Sequence, residues 1–307
     1  MRLEQLRYAE VTFRAGSLRK AAQELGVAQP SLSQQIQRLE EELGVVLLIR
    51  RPNGVRPTDA AIAILPHIRT ALRAEAHLRQ EASAISGLRE GRVRLGSIAT
   101  ASRTLLPRVV RRFQQEHPSI HFQVTEGGSV LIRDQVASGD LDVGIVSHLL
   151  EDKHGMAGLF VEDIADGRMV VCIPAGHRLW GRTAVTAADL AGEAIIAFHP
   201  GYILRTVYDH LATRQEVHAV YYTDSSETAR RMVSAGVGIA LLSRLGTSDD
   251  SAVSAGRIGF LPLQEPWAES RMSVVRRADE QPPPAVRALL RIVRHEARHL
   301  QLPNADS

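Results

Sequence analysis

The first 57 residues contain two short helical patterns joined by a glycine turn, which restricts the start of this chain to few folds. Ser17 stands where an N-cap belongs, directly before LRKAAQEL, and Gly26 ends that pattern. The next pattern is QPSLSQQIQRLEEELG, with Gln29 as its predicted N-cap, Pro30 at the first helical position and Gly44 at its end. Two short helices across a glycine turn predict a helix-turn-helix.

The second of these helices has one apolar and one polar face. The apolar positions, three or four residues apart and predicted to pack inward, are Leu32, Ile36, Leu39 and Leu43. The opposite face and its flanks carry Pro30, Ser31, Ser33, Gln34, Gln37 and Arg38. Because Ser and Gln can hydrogen-bond to base edges in a major groove, this half of the helix suits DNA recognition. An ordinary amphipathic helix would show the same division, so the helix alone leaves both interpretations open.

A basic turn follows the helix-turn-helix. The sequence VVLLIRRPNGVRPTDA places Arg50 and Arg51 before a Pro-Asn-Gly turn and Arg56 after it. This pattern predicts a β-hairpin, or wing, whose arginines reach phosphates or the minor groove beside a groove-bound helix. A solvated turn is the alternative, but a helix-turn-helix followed directly by a basic wing is more specific than either part.

The stretch AAQELGVAQPSLSQQIQRLEEELGVVLLIRRPNGVRPTDA resembles the winged helix-turn-helix of LysR-type transcriptional regulators, and the whole chain resembles that family in length and order of parts. Leu48 departs from the family pattern where an aromatic residue is common, and Ala61 where a glycine is usual. The resemblance implies double-stranded DNA as a partner. The contacts with DNA that it implies are at Ser17, Gln29, Pro30, Ser31, Ser33, Gln34, Arg50, Arg51, Asn53 and Arg56.

One long helical pattern follows, with Thr58 as its N-cap. Its apolar stripe, which Glu75 interrupts, consists of Ile62, Leu65, Ile68, Leu72, Leu78, Ala82 and Ile85. Such a stripe predicts pairing with another chain, and a core helix of the next domain is the alternative. In LysR-type regulators the corresponding helix forms an antiparallel dimer. The resemblance therefore implies a homotetramer, built as a dimer of dimers, that places recognition helices on two half-sites of DNA.

From residue 91 onward, strand patterns alternate with helical ones, which predicts an α/β fold with parallel sheets. The predicted strands lie in VRLGSIAT, IHFQVTEG, VGIV, MVVCIP, AIIAFH, AVYYTD and IALLS. Ligand sites in such folds lie beyond the carboxyl ends of strands. Candidate ligand contacts at those ends are Thr100, Ser102, Gly128, Ser129, Ser147, His199, Gly201 and Ser226. Each alone is more often a helix cap, but their common edge supports the group.

The resemblance also implies two lobes like those of periplasmic binding proteins, with a small effector in the cleft between them. Lobe I is expected at about 91–163 and 267–302, and lobe II at about 164–266. Hydroxyls and amides at helix N-termini favour an anionic effector, with which His199 and Arg205 could pair. RNA polymerase is expected as a further partner, because effector binding would change its access to the promoter. No cofactor is expected.

The resulting division is a winged helix-turn-helix domain at 1–58, a linker and dimerisation helix at 59–89 and an effector-binding domain at 90–307. A transport binding protein would explain only the last of these parts.

The stretch RHEARHL contains His295, Glu296 and His299 in the H-E-x-x-H spacing of zinc metalloproteases, so a zinc-dependent hydrolase is the alternative function. A third ligand is lacking downstream, because Leu302 and Ala305 stand where the extended motif requires Gly and His. The apolar stripe of this helix also puts both histidines on its solvent side. We therefore predict neither an enzyme nor a metal site.

Composition excludes several other classes. With 44% hydrophobic and 23% charged residues, the chain is an ordinary globular protein, and its net charge of +3 permits a polyanionic partner. The first twenty residues lack the apolar segment of a signal peptide, and no stretch reaches the roughly 18 apolar residues of a membrane span. The single cysteine, Cys172, agrees with a reducing compartment. These features predict a cytoplasmic protein without membrane contact.

Overall fold

The computed structural model describes residues 1–52, 54–85, 91–152, 155–246, 255–279 and 281–300. The chain divides into two compact units, Met1–Leu88 and Arg89–Ser307. Within the described ranges, no helix combines the length and the apolar character that crossing a membrane requires.

The first unit is a winged helix-turn-helix, as predicted. Its elements are α1 (Leu3–Ala15), α2 (Leu18–Leu25), α3 (Gln29–Leu43), β1 (Leu48–Arg51), β2 (Gly54–Pro57) and α4 (Asp59–Ile85). The predicted cap of α3 is wrong by one residue: Ala28 is the N-cap and Gln29 is already helical. Pro30 is still tolerated because the amides of the first turn need no partner within the helix.

Two apolar clusters hold this unit together. In the first, Leu32 and Ile36 of α3 pack against α1, α2 and the two wing strands. In the second, Ala61 and Ile68 of α4 pack with residues of α1 and with Leu39. Leu43 was expected in the core but is 37% exposed, because α3 ends there.

Helix α4 is only partly buried by its own unit. Its N-terminal half belongs to the core of the first unit, which the predicted pairing with another chain did not anticipate. Farther along, Leu78 is 70% exposed and Ile62 on the outer side is also exposed. Glu75, which interrupts the apolar stripe, lies between Arg7 and Arg79 and forms ion pairs with both.

The second unit is α/β. Its strands are β3 (Gly91–Ser97), β4 (Ile120–Glu126), β5 (Val143–Leu149), β6 (Leu159–Pro174), β7 (Ala194–Phe198), β8 (His218–Thr223), β9 (Ile239–Ser243), β10 (Ile258–Pro262) and β11 (Glu269–Arg277). Its helices are α5 (Ala99–Thr104), α6 (Leu106–Glu116), α7 (Ser129–Ser138), α8 (Ile203–Ala212), α9 (Ser226–Ser234) and α10 (Pro284–Ala297). The strands are hydrogen-bonded in the order β4-β3-β5-β11-β6-β9-β7-β8, and β10 also pairs with β6.

The expected parallel sheet is present only at the two ends of this order. β3 pairs parallel with β4 and β5, and β7 pairs parallel with β8 and β9. Between these groups, β6, β10 and β11 pair antiparallel. β6 begins ten residues before the predicted MVVCIP segment, while β10 and β11 were not predicted at all. β6 joins the two groups of strands, because its first part pairs with β11 and its last part with β9 and β10.

Each group of parallel strands has its own core, and the two cores define lobe I and lobe II. In lobe I, β3 and β5 pack against α6 and α10. In lobe II, β7, β9 and the second part of β6 pack against α8 and α9. Trp267 and Ala268 are buried in the lobe II core, just past the expected boundary at residue 266. The exact division into domains and lobes remains a prediction.

Candidate DNA-binding surface and effector cavity

The N-terminal half of α3 presents its polar side chains to solvent. Gln29, Pro30, Ser31 and Gln34 are exposed, Ser33 is half-buried, and the apolar residues between them face the core. No acidic residue stands in the first turn of α3. An uncharged, hydrogen-bonding surface at a helix N-terminus can approach both phosphates and base edges.

The wing is fixed to this helix by a side-chain hydrogen bond. Arg50 on β1 donates from Nη2 to Ser33 Oγ on α3 over 2.9 Å. Arg51 and Arg56 are exposed on the same hairpin, while Asn53 lies outside the described residues. The structure thus joins two of the predicted DNA contacts, Ser33 and Arg50, directly to each other.

A second attachment holds the wing to the turn before α2. The amide of Val55 donates to the carbonyl of Gly16 over 2.9 Å. Gly54 has a φ of +136°, and a Cβ there would lie 2.5 Å from the Gly16 oxygen, so only glycine allows this approach. The next residue, Ser17, caps α2 by accepting from the amide of Lys20, and its side chain is half-buried beside the wing.

Sequence reasoning missed the role of Glu40. Its carboxylate accepts from the amides of Leu47 and Leu48 over 2.6 and 3.1 Å. Glu40 is the first of three consecutive glutamates, and it fixes the chain where the wing begins. A carboxylate near the end of a helix is only a weak sequence signal for this role. Whether it can accept from the amides of the following turn depends on the conformation of that turn.

A small, partly open cavity of about 40 Å³ lies between lobe I and lobe II. It is lined at the carboxyl ends of several strands, as the rule for α/β folds predicts. Six of the lining side chains carry hydroxyls, one is a carboxylate, and the others are mainly apolar or aromatic. The polar ones are Thr100, Ser129, Ser147, Ser226, Ser243, Tyr202 and Asp224, with Tyr202 contributing a phenol.

Four of the eight predicted effector contacts line this cavity, namely Thr100, Ser129, Ser147 and Ser226. Ser147 lies within β5 and not after it as expected, since the strand continues to Leu149. Its amide donates to the buried Ser129 hydroxyl oxygen over 3.1 Å. This bond ties α7 to β5 at the floor of the cavity and leaves the Ser129 hydroxyl hydrogen to donate elsewhere.

The other four predicted contacts lie outside the cavity lining. Ser102 donates to Ser97 Oγ over 3.2 Å and borders an open groove beside α6. His199 is exposed and its ring is 5.8 Å from that of Tyr222. The expected anion partner Arg205 forms an ion pair with Asp209 at 2.8 Å. Side chains past a strand end point either into or away from the cleft, and the sequence does not distinguish them.

Gly128 and Gly201 instead form one of the contacts between the lobes. The amide of Val130 in the first turn of α7 donates to the carbonyl of Gly201 over 3.2 Å. A Cβ on Gly128 would lie 2.6 Å from the same oxygen. Glycine at 128 therefore permits backbone-to-backbone contact across the cleft.

Ser243 and Tyr202 were not predicted as lining residues. Ser243 ends β9, so the strand-end rule would have found it had it been applied to IALLS. Tyr202 precedes α8 and packs on Phe198 with ring centroids 6.0 Å apart. Burial and the nearby carboxylates of Asp224 and Glu126 raise the pKa of the Tyr202 phenol, so it remains a neutral hydrogen-bond donor.

A Ser-His-Asp cluster that no sequence motif predicts occurs at the strands that join the lobes. Ser273 donates to Asp163 Oδ1 over 2.7 Å, and His148 Nε2 lies 3.0 Å from Ser273 Oγ. In a nucleophilic triad the two ring nitrogens bind serine and carboxylate separately. Here His148 Nε2 faces both Ser273 and Asp163, the latter at 3.5 Å, while Nδ1 lies 3.1 Å from the carbonyl of Leu149. Ser273 is also fully buried. This cluster therefore holds strands together and does not suit acyl transfer.

The H-E-x-x-H residues are placed as the apolar stripe predicts. His295 and His299 are exposed, with ring centroids 5.6 Å apart. Glu296 is held by Arg112 at 3.2 Å, so it is engaged in an ion pair on the lobe I surface. In the part of the chain that the structure describes, no three His, Cys, Asp or Glu side chains are grouped to hold a metal ion.

Comparisons with known proteins match both units. Residues 3–62 match the bacterial regulatory helix-turn-helix proteins of the lysR family, and residues 86–298 match the LysR substrate binding domain. The HTH-type transcriptional regulator YybE of Bacillus subtilis is 30% identical over 267 residues, which are 86% of this chain and 90% of YybE. A hydrogen peroxide-inducible genes activator of Escherichia coli O6:H1 is 30% identical over 282 residues, 90% of each chain. Full-length OxyR of Pseudomonas aeruginosa, at 23% identity, shares the fold with a TM-score of 0.75 over 97% of this chain and 95% of that one.

Proposed function

Because the chain belongs to the LysR family of DNA-binding transcriptional regulators, we propose that the exposed side of α3 enters the major groove and that the wing arginines contact phosphates beside it. The family is one of regulators and not of enzymes, so the zinc hydrolase alternative is wrong. The observation that supports this docking most directly is the Arg50–Ser33 hydrogen bond, which holds the wing and α3 as one surface. In the complex, Arg50 would bind a phosphate while Ser33 and Gln34 face the bases.

A homo-oligomer would supply the second recognition helix. Leu78 and Ile62 each leave apolar surface of α4 exposed, and burial against a second copy would remove that surface from water. Two copies would place two α3 helices on two half-sites, and two such dimers would form the predicted tetramer.

The cavity between the lobes is the proposed effector site. Its lining includes Thr100 and Ser129 from lobe I and Phe198 and Ser226 from lobe II, so a ligand there would contact both lobes. A ligand that binds one arrangement of the lobes more tightly shifts the population toward it. The expected consequence is a changed geometry of the oligomer on DNA and thereby changed access for RNA polymerase.

A response to peroxide through thiol oxidation is the second candidate, because one relative is named a hydrogen peroxide-inducible genes activator. Sensor thiols of that kind are accessible to solvent and often stand near a second cysteine. Cys172 is the one cysteine of this sequence and it is fully buried in the lobe II core. The structure therefore favours a ligand that binds without covalent chemistry.

DNA docking is tested with a DNA site selected from random sequence by binding to the full-length protein. We expect Gln34→Ala to weaken binding to the selected site and to relax its sequence preference, by about 1–3 kcal/mol for a lost base contact. Gln264→Ala carries the same change in the second unit and should have no effect. Unchanged affinity of the Gln34 variant would contradict the proposed docking.

The effector site is tested by thermal shift of the full-length protein against a panel of small amines, amidines, alcohols and carboxylates. Compounds that raise the melting temperature of the wild type should not raise that of the Ser226→Tyr variant, because the tyrosine ring would fill the cavity. Thr183→Tyr, on an exposed loop of the same unit, should respond like the wild type. Stabilisation that survives Ser226→Tyr would place the effector elsewhere.

A further inference from the structure

We infer that the cavity between the lobes selects a small cation with several N–H donors, such as an amidinium, a guanidinium or a primary ammonium group. This inference rests on the proposed role of that cavity as the effector site. It departs from the anionic effector that the sequence led us to expect.

The chemistry of the lining favours a ligand that donates hydrogen bonds. Among the described residues that line the cavity, none is Arg, Lys or His, whereas Asp224 contributes a carboxylate. Hydroxyl oxygens and a carboxylate accept from N–H groups, and a carboxylate repels an anion at the same distance. An anion would therefore have to bind beside Asp224 without a cationic side chain in the lining to offset it.

Among the residues that the structure describes, no cationic side chain compensates the charge of Asp224. Within the described part of the chain, no cationic side chain forms an ion pair with Asp224 or with Glu126, and both carboxylates are exposed. Tyr202, which lines the cavity, lies close enough to both charges that they raise the pKa of its phenol. The two carboxylates come from different lobes, at the ends of β8 and β4, so the edge of the cleft is acidic on both sides.

Arginines near the cleft are already engaged. Arg205 pairs with Asp209, and its guanidinium stands 5.9 Å from the centre of the Tyr222 ring. Arg103 lies against Gly246 and has interactions of its own. Neither lines the cavity, so these two side chains do not convert it into an anion site.

The helix N-termini around the cavity, which suggested an anion, have part of their donors occupied. In α7 the amide of Val130 donates to Gly201, and in α9 the amide of Thr228 donates to Ser225 Oγ over 3.2 Å. α5 has only six residues and a correspondingly small dipole. The partial positive charge that remains competes with a full negative charge on Asp224.

The size of the cavity limits the part of the ligand that is buried. A volume of about 40 Å³ holds about three water-sized groups, given some 10–15 Å³ for each. Met169, Phe198 and Ile203 form an apolar wall that accepts a methyl group. Acetamidinium combines such a methyl group with four N–H donors on a planar cation.

The experiment compares acetamidinium, acetamide and acetate, which share one planar shape and carry charges of opposite sign or none. Binding to the full-length protein is measured by calorimetry at constant ionic strength. We expect acetamidinium to bind on the order of tenfold more tightly than acetate, with acetamide between them. Asp224→Asn should remove most of that preference, whereas Asp134→Asn, on the exposed side of α7, should keep it.

Two outcomes would overturn the inference while leaving the effector site intact. One is that acetate binds as tightly as acetamidinium and loses its binding in Ser226→Tyr. The other is that none of the three binds up to the solubility limit although a different compound passes the Ser226→Tyr test. Binding of acetamidinium that Ser226→Tyr does not affect would instead contradict the proposed site itself.

Discussion

Arg50 and Ser33 join the wing to the predicted recognition helix, through a hydrogen bond of 2.9 Å from the guanidinium to the hydroxyl. The bond orients Arg50 before DNA arrives, which lowers the entropy lost when its guanidinium binds a phosphate. We expect Arg50→Ala to reduce the slope of log affinity against log salt by about 1, the contribution of one phosphate contact. Ser33→Ala should weaken binding with a smaller change of slope, since it keeps the charge.

Fluorescence anisotropy with the selected DNA at several salt concentrations measures both effects. Arg231→Ala removes the same charge from an exposed position on α9 and should leave the slope unchanged. An Arg50→Ala variant with the slope of the wild type would show that this guanidinium does not contact phosphate.

Gly54 is expected to be indispensable for the wing. Gly54→Ala would put a Cβ 2.5 Å from the Gly16 carbonyl oxygen at a φ of +136°, and should lower the free energy of unfolding by about 1–3 kcal/mol. Gly44→Ala also has a positive φ, of +70°, but meets no atom within 4 Å. In chemical unfolding, Gly44→Ala should therefore lower the free energy of unfolding less than Gly54→Ala does. Equal losses of stability would mean that the close approach to Gly16 is unimportant.

Gly128 should control the contact between the lobes. In Gly128→Ala the new Cβ would lie 2.6 Å from the Gly201 oxygen, a backbone atom that cannot rotate away. We expect the hydrogen bond from Val130 to Gly201 to lengthen, so that the Val130 amide exchanges faster with deuterium. In Gly127→Ala the atom nearest to the new Cβ is the flexible end of Leu131, at 3.0 Å. The Val130 amide should therefore exchange as slowly as in the wild type. Equal protection in both variants would contradict a steric role for Gly128.

The winged helix-turn-helix could be predicted almost completely, because its caps, its apolar spacing and its basic turn are all local in sequence. What the sequence did not reveal depends on distant partners. Leu43 fits the apolar stripe of α3 but is exposed because the helix ends there. Glu40 accepts from an amide of a turn whose conformation cannot be predicted from its amino-acid sequence.

The position of the proposed effector cavity could be predicted, but its chemistry could not. Four residues chosen by the strand-end rule, Thr100, Ser129, Ser147 and Ser226, line the cavity, because carboxyl ends of parallel strands share one edge. The same rule does not say which way a side chain turns, so His199 was included although it lies outside. β10 and β11 were missed because their place in the sheet depends on β6, in whose first half Glu162, Asp163 and Asp166 interrupt the apolar residues without a clear strand period.

A pH-dependent contribution to stability is expected from Glu162 on β6. Hydrogen bonds from Arg294, at 2.6 and 2.7 Å, lower the pKa of this carboxyl below its ordinary 4.5. A lowered folded-state pKa means that the stabilisation is present above the unfolded-state pKa and is lost as pH falls through the folded-state value. Glu162→Gln should therefore lower the free energy of unfolding near neutrality by less than about 1 kcal/mol, since the pair is partly exposed. The difference from wild type should shrink as the pH falls below the ordinary carboxyl pKa and should vanish once the pH is below the lowered folded-state pKa.

Unfolding curves between acidic and neutral pH measure that difference. Glu151→Gln changes an exposed carboxyl near the end of β5 and should show little difference at any pH. If Glu162→Gln lowers the free energy of unfolding by the same amount at acidic pH, the effect comes from packing and not from the ion pair.

Metal removal tests whether the H-E-x-x-H residues form a zinc site or only the surface at the C-terminal end of α10. His295 and His299 are exposed, and Glu296 is paired with Arg112 on α6, so the three side chains do not form a closed zinc site. We expect a chelator to leave the melting temperature and the DNA affinity unchanged, and His295→Ala with His299→Ala to behave as the wild type does. Glu296→Ala should lower the melting temperature slightly, because it leaves Arg112 with one carboxylate partner fewer. Loss of fold or of DNA binding on chelation, restored by zinc, would show that these histidines hold a metal after all.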